Sequence, residues 1–160
     1  MNTKRRKTWQ AKLDNDKDLP KVVEIAGKMT QRWGESTVVV PAPREVDELM
    51  KQVPRGKLAT INEIRAALAR RHNATLGCPI TTGIFAWIAA HAAEEAASKG
   101  KVRITPHWRT LKSDGQLNEK YPGGVEAQKK RLEAEGHTVA RKGKRLVVAG
   151  FEGSLFAFRA

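Results

Sequence analysis

The sequence predicts an α+β chain, mainly α, with a helix-turn-helix core, a small N-terminal extension and a C-terminal β-hairpin. Three observations carry this. Thr60-Ile61-Asn62-Glu63 sets a hydroxyl three residues ahead of a carboxylate, the signature of a capped helix start. Leu76-Gly77-Cys78-Pro79 ends in a proline suited to the first position of a second helix, where its missing N–H costs nothing. Near the end, two runs with strand character flank a basic turn at residues 141–145, which holds Arg141, Lys142, Lys144 and Arg145.

The elements follow in order. Residues 1–12 carry Lys4, Arg5, Arg6, Lys7 and Lys12 and no acid, which reads as a mobile basic arm touching phosphate or as a solvated tail. Residues 20–33 predict a helix, with Val22, Val23, Ile25, Ala26 and Met29 as its apolar stripe and Trp33-Gly34 as its end. The β-branched run at residues 37–40 predicts a strand. Pro43 opens a helix whose Val46, Leu49, Met50 and Val53 share one buried face, and Pro54-Arg55-Gly56 turns the chain.

The helix capped by Thr60 places Ile61, Ile64 and Leu68 on one side, and His72-Asn73 ends it. The next helix runs from Pro79 to about Ser98 and is closed by Gly100. Ile84, Trp87, Ile88 and His91 are its expected buried stripe, and its many alanines keep it slim. Residues 102–104, beside Lys101 and Arg103, are a candidate wing strand. Residues 105–117 read as irregular, residues 124–135 as a helix closed by Gly136, and the hairpin follows. The organisation expected is an extension over 1–42, a core over 43–137 and a hairpin over 138–160 packed on that core.

The formal charge is +13, with a sequence pI of about 10.2, which favours a polyanionic partner. A membrane surface would call for a basic amphipathic helix with aromatic anchors, which the sequence lacks, so nucleic acid leads. No apolar run approaches the ~18–20 residues that cross a bilayer, and the basic start has no secretory h-region. Cys78 is the single cysteine, so neither an internal disulfide nor a multi-cysteine zinc site is expected, and a reducing cytoplasm (around the nucleoid, in a bacterium) is the expected compartment.

The helix-turn-helix reading places duplex DNA at the N-terminal half of the second helix. Thr81 and Thr82 lie in its first turn, where free N–H groups and the helix dipole favour phosphate, and Glu94 and Glu95 lie at the far end, where they would repel it. Lys57, Arg65, Lys101 and Arg103 are the expected phosphate contacts, with Gly83 beside the groove.

Several segments resemble one family. Pro54-Arg55-Gly56-Lys57-Leu58-Ala59-Thr60-Ile61 is similar to the lead into the helix-turn-helix of alkylguanine-DNA alkyltransferases. Thr105-Pro106-His107-Trp108-Arg109 resembles that family's Pro-Cys-His-Arg active-site motif. Tyr121-Pro122-Gly123-Gly124, with the helix ending Leu132-Glu133-Ala134-Glu135-Gly136, resembles its substrate-binding loop and closing helix. The similarity spans residues 43–137. It implies a winged helix-turn-helix fold, minor-groove DNA binding and a flipped guanine. It also points to a non-catalytic alkyltransferase-like branch, which binds alkylated guanine and passes the lesion to other repair proteins.

The departures set the expectation. The nucleophile position holds His107 and the position of the activating histidine holds Trp108. An imidazole is not the soft thiolate that alkyl displacement needs, so suicidal dealkylation at this motif is expected to be lost. Ile61 stands where the family has a tyrosine that presses on the flipped nucleotide's phosphate, and Gly83 aligns with the arginine that fills the vacated stack. The resemblance leaves a vestigial motif (Pro106, His107, Trp108, Arg109, Glu135) and an altered base pocket from His107, Trp108, Tyr121, Gly123 and Gly124. Arg109 and Glu135 read as structural partners, and Tyr121 either as a stacking platform or as a core tyrosine.

Two rival readings stand beside non-catalytic DNA binding. Cys78, just ahead of a helix N-terminus, is a candidate relocated alkyl acceptor or a small buried residue in a turn. The fold could also serve a protein-interaction module. The four histidines lack metal-ligand spacing, and neither a phosphate-binding loop nor a nucleophile elbow occurs, so no metal and no cofactor are expected. A monomer is the expected state.

Overall fold

The computed structural model describes residues 7–25 and 36–159. The helix-turn-helix is α3 (Ile61–Arg71) and α4 (Pro79–Ser98), with α2 (Pro43–Gln52) packed across them. Pro43 is the first residue of α2, and its Ala42 N–H donates to Glu45 Oε2 at 2.9 Å. Thr60 caps α3: Asn62 N–H donates to Thr60 Oγ1 at 3.2 Å, and Glu63 Oε2 accepts the Thr60 N–H at 3.1 Å. His72 Nε2 then meets Glu45 Oε1 at 2.6 Å, which ties the end of α3 to the start of α2.

Before this unit lie α1 (Trp9–Leu13), β1 (Lys21–Glu24) and β2 (Thr37–Val40). The short strand β4 (Leu76–Gly77), inside the turn of the helix-turn-helix, pairs parallel with β2, and β1 pairs antiparallel on the other side. Gly77 is there because α3 leaves no room: a Cβ on it would sit 2.7 Å from the Arg65 carbonyl oxygen. The strands β3 (Ala59–Thr60) and β5 (Thr110–Leu111) form a second, parallel pair. Then come α5 (Gly124–Ala134) and the hairpin of β6 (Val139–Lys142) and β7 (Arg145–Val148), whose two-residue turn is Gly143-Lys144.

Two apolar clusters hold this together. The larger joins Val46, Leu49, Met50 and Val53 of α2 to Ile64 and Leu68 of α3 and to the alanine face of α4. Leu13 enters it from one end of the chain and Phe158 from the other. The smaller gathers Leu58, Leu111, Leu117, Leu132 and Val148 beneath the hairpin. After the hairpin the chain returns to the core, where Phe156 N–H donates to the Leu58 carbonyl at 2.8 Å.

Four expectations change. The helix expected over 20–33 is, at residues 21–24, the edge strand β1; Val22 and Val23 are β-branched and find a partner in β2, which outweighs the helical spacing. Residues 26–33 of that expectation lie outside the described residues. Of the basic arm, residues 1–6 also lie outside them, but residues 9–13 are helical, not mobile, because Glu95 accepts the N–H groups of Trp9 and Gln10 at 3.0 and 3.2 Å. The wing strand at 102–104 does not form. The end of α4 is closed by bonds from Gly100 N–H to the Ala97 carbonyl and from Lys101 N–H to that of Ala96, and the chain then crosses the surface with Val102 exposed and no described strand beside it. Finally, α4 turns its alanines inward. Ala86, Ala89, Ala90 and Ala93 are buried; of the expected stripe Ile88 is buried with them and Trp87 and His91 pack beside Trp9, but Ile84 lies on the outer side.

Candidate nucleic-acid interface

The turn of the helix-turn-helix is fixed by Arg65, whose Nε donates to the Gly77 carbonyl at 2.9 Å while Nη1 reaches Asn62 Oδ1 at 3.4 Å. This leaves a half-exposed guanidinium beside the N-terminus of α4. Cys78 is the N-cap residue, with its Sγ 3.1 Å from Thr81 Oγ1. The first turn of α4 carries no acid, so its unbonded N–H groups present a positive pole to solvent. Thr82, expected to approach a groove, is 0% exposed and faces the core, since it shares a side of α4 with Ala86 and Ala89. Thr81 and Gly83 stay at the surface.

Ile80, Gly83, Ile84 and Trp87 follow the spacing i, i+3, i+4, i+7 and line one wall of a groove of about 440 Å³. Lys112, Asn118, Glu119 and Lys120 form the other wall. The Lys120 carbonyl fixes the walls together by accepting both Trp87 Nε1–H and His91 Nε2–H at 3.1 Å, and Lys112 pairs with Glu119 at 2.7 Å. Ile80 is 74% exposed and Ile84 47%. Sequence reasoning missed this groove because the same helical spacing was read as the buried stripe. The opposing alanines were the signal, since a helix packed closely against its neighbours presents its smallest residues to them.

The motif at residues 106–109 lies at the other end of α4. His107, in a 3-10 turn over His107–Arg109, is only 2% exposed. Its Nε2 lies 3.0 Å from Glu94 Oε1 and 3.2 Å from Arg131 Nη1, and its Nδ1 has no partner among the described residues. Burial pushes the His107 pKa down, against the pull of Glu94, so the ring is neutral near pH 7. Burial alone would raise Glu94, but bonds from His107 and Arg131 outweigh it and hold the carboxyl below its ordinary value. Glu94 is therefore engaged inward, as Glu95 is by α1.

Arg109 and Glu135 are partners, as expected. The guanidinium donates from Nε and Nη2 to the two carboxylate oxygens at 2.8 Å each, and from Nη1 to the Val53 carbonyl at 2.8 Å. Trp108 Nε1–H joins them at 2.9 Å from Glu135 Oε2, with Arg131 stacked 4.4 Å from its ring. Burial would raise Glu135, and the bonds from Arg109 and Trp108 lower it overall.

Tyr121 is a core residue. It is buried, burial raises its pKa against the opposing pull of Asn118, and its ring meets His107 edge-on at 5.6 Å. His107, Trp108 and Tyr121 thus come together as expected, but as a packed ring cluster. The open space lies next door, in the groove. Gly123 and Gly124 start α5 behind Tyr121, where a Cβ on Gly123 would meet Ala127 Cβ at 2.6 Å. Pro106 is buried ahead of the 3-10 turn.

The expected phosphate contacts divide. Lys57 is exposed on the turn into β3, and Arg65 stands at the start of α4. Lys101 and Arg103 lie past the far end of this 20-residue helix, about 30 Å away along its axis. They line a separate cleft of about 190 Å³ on its alanine side. Cys78 is partly exposed, outside the groove lining, and about 24 Å along the helix from Glu94 and the ring cluster.

No family model and no curated protein matches the chain. Among solved structures, two of the alkyltransferase-like protein Atl1 of S. pombe are similar to it. The crystal structure of Atl1 in complex with damaged DNA containing O6-carboxymethylguanine is 19% identical, with a TM-score of 0.51, and the match covers 71% of this chain and 93% of that one. The structure of the S. pombe protein in complex with DNA is 21% identical, with a TM-score of 0.52 and the same coverage. The likeness establishes the fold: an α+β helix-turn-helix architecture shared with Atl1.

Proposed function

We propose that this chain is a non-catalytic DNA-binding protein of the alkyltransferase-like type, which recognises alkylated or distorted duplex and presents it to other repair proteins. The observation that supports this is the exposed N-terminal half of α4 beside an open groove, in a fold shared with a protein solved on damaged DNA. The charge of +13 supplies the attraction to phosphate.

Alkyl transfer at the motif does not suit the residues present. Displacement of an alkyl group calls for an accessible thiolate, and His107 is a buried, neutral imidazole clasped by Glu94. The geometry instead suits reading without reaction, in which the groove walls, the outer stripe of α4 among them, meet bases and the N-terminal pole of α4 meets the backbone.

Fluorescence anisotropy with two duplexes, identical except for one O6-methylguanine, tests this across a salt series. The expected result is tighter binding to the methylated duplex, with affinity for both falling steeply as salt rises. Equal affinity for the two would reduce the protein to a general duplex binder. Binding that is absent, or flat with salt, would overturn the DNA-binding reading itself.

A further inference from the structure

We propose that Ile80 and Ile84 form an apolar wedge that enters a base step of duplex DNA, with Gly83 leaving the gap that admits the base edge. The inference rests on the DNA-binding reading above and says how α4 engages the duplex.

The first argument is exposure. Ile80 and Ile84 are one turn apart on the same side of α4, about 6 Å along its axis, and both leave much of their apolar surface in water. With Trp87 they make a continuous stripe at the mouth of the groove.

The second argument is the glycine between them. A glycine inside a helix is unfavourable relative to alanine. A Cβ at Gly83 would meet nothing within 4 Å, so no neighbour within the chain requires the missing side chain. Its effect is to keep a notch open between the two isoleucines, where the flat edge of an external group can approach the helix backbone.

The third argument is charge, and it selects the occupant. From Ile64 to Ala93 the chain has no Asp or Glu, and from His72 to Ala93 it has no charged side chain apart from the two histidines. The apolar stripe is bordered by the Arg65 guanidinium at the turn, by Lys120 on the opposite wall and by the positive pole of α4 itself, while Lys112 on that wall is neutralised by its pair with Glu119. An uncharged apolar ridge between cations complements a duplex groove, where stacked bases lie between two lines of phosphate. Isoleucine is among the side chains that enter base steps, partly unstacking them and kinking the duplex by about 20–90°.

A side chain between base pairs unwinds the duplex, so the test reads topology as well as affinity. Relaxed closed-circular plasmid is incubated with the protein, treated with a type I topoisomerase and stripped of protein, and its linking-number distribution is measured. Occupancy is matched beforehand by anisotropy. The wild-type protein is expected to shift the distribution. The Ile80→Ala/Ile84→Ala protein is expected to lose at least half of that shift at equal occupancy, with its duplex affinity, set mainly by phosphate contacts, reduced by less than about tenfold. Ile80→Leu/Ile84→Leu is expected to retain the shift. An alanine variant that unwinds as far as the wild type overturns the proposal, and so does a wild-type protein that binds without unwinding. The second result leaves DNA binding standing, whereas failure to bind plasmid at all removes both readings.

Discussion

Glu135 is the one carboxylate of the motif, and three side-chain bonds converge on it. It accepts from Arg109 twice and from Trp108 once, and through Arg109 it is linked to the Val53 carbonyl at the end of α2. Its side chain is 7% exposed and that of Arg109 14%, so removing one partner strands a charge in a poorly solvated place. Breaking such a pair costs about 3–5 kcal/mol. Glu135→Ala is therefore expected to lower unfolding stability by about that much in a urea titration. A loss below about 1 kcal/mol would mean that Arg109 finds another partner or water. This pair was legible in the sequence, because a motif that resembles an active site but holds no thiol leaves its arginine and glutamate a structural use. The clasp of Glu94 on His107 was not legible. It depends on α4 running four turns past Pro79 and delivering Glu94 to a turn 13 residues further on, which local spacing does not reveal.

At the scale of elements, legibility followed the strength of local signals. The capped start of α3 and the proline start of α4 are chemical signatures carried by adjacent residues, and both appear as expected. The orientation of α4 is different. Most of its first fifteen residues are apolar, so periodicity gives no preferred side, and the choice falls to packing against α2 and α1, which alanine permits at close range. The short elements were illegible for another reason. A five-residue helix cannot sustain itself, and α1 exists because of what it touches. Trp9 stacks on His91 at 4.3 Å and meets Trp87 edge-on at 4.8 Å, with Lys12 over its outer face. Trp9→Ala is expected to release α1. The amides of Lys12 and Asp14, bonded to Thr8 and Gln10, would then exchange with solvent many times faster, while those of α3 keep their protection. Unchanged exchange at Lys12 and Asp14 would show that the Glu95 carboxylate holds α1 without the ring.

For the whole molecule, the buried titratable groups set a dependence on pH. The folded-state pKa of His107 lies below the ordinary histidine value of 6.5, as does that of His137, both because burial disfavours the charged ring. Between the folded and ordinary values the unfolded chain binds protons that the folded chain refuses, so stability is full above about pH 6.5 and falls as pH drops below it. Glu94 and Glu135 lie below the ordinary carboxyl value of 4.5, and their contribution is lost in turn as pH falls through that region. Urea midpoints are expected to decrease from about pH 7.5 to about pH 5. His107→Gln, which keeps a donor for Glu94, is expected to decrease less over the same interval. A midpoint that rises on acidification would contradict the neutral, buried state of His107.

Phe158 and Leu13 lie at opposite ends of the described chain, and both are part of the cluster that supports α3 and α4. Arg70 on α3 also donates to the Phe158 carbonyl at 3.3 Å, and the Leu58 strand that leads into α3 is flanked by residues 154–156. Local contacts alone could form α3 and α4 early, but their mutual setting waits for residues almost a hundred positions later. During synthesis, a nascent chain that already carries both helices would still lack the last side of their support. The surface proposed to read DNA would thus take its final shape only once residues 154–158 have been added, and a ribosome stalled before residue 154 would hold out a basic chain whose proposed grip on nucleic acid was not yet selective.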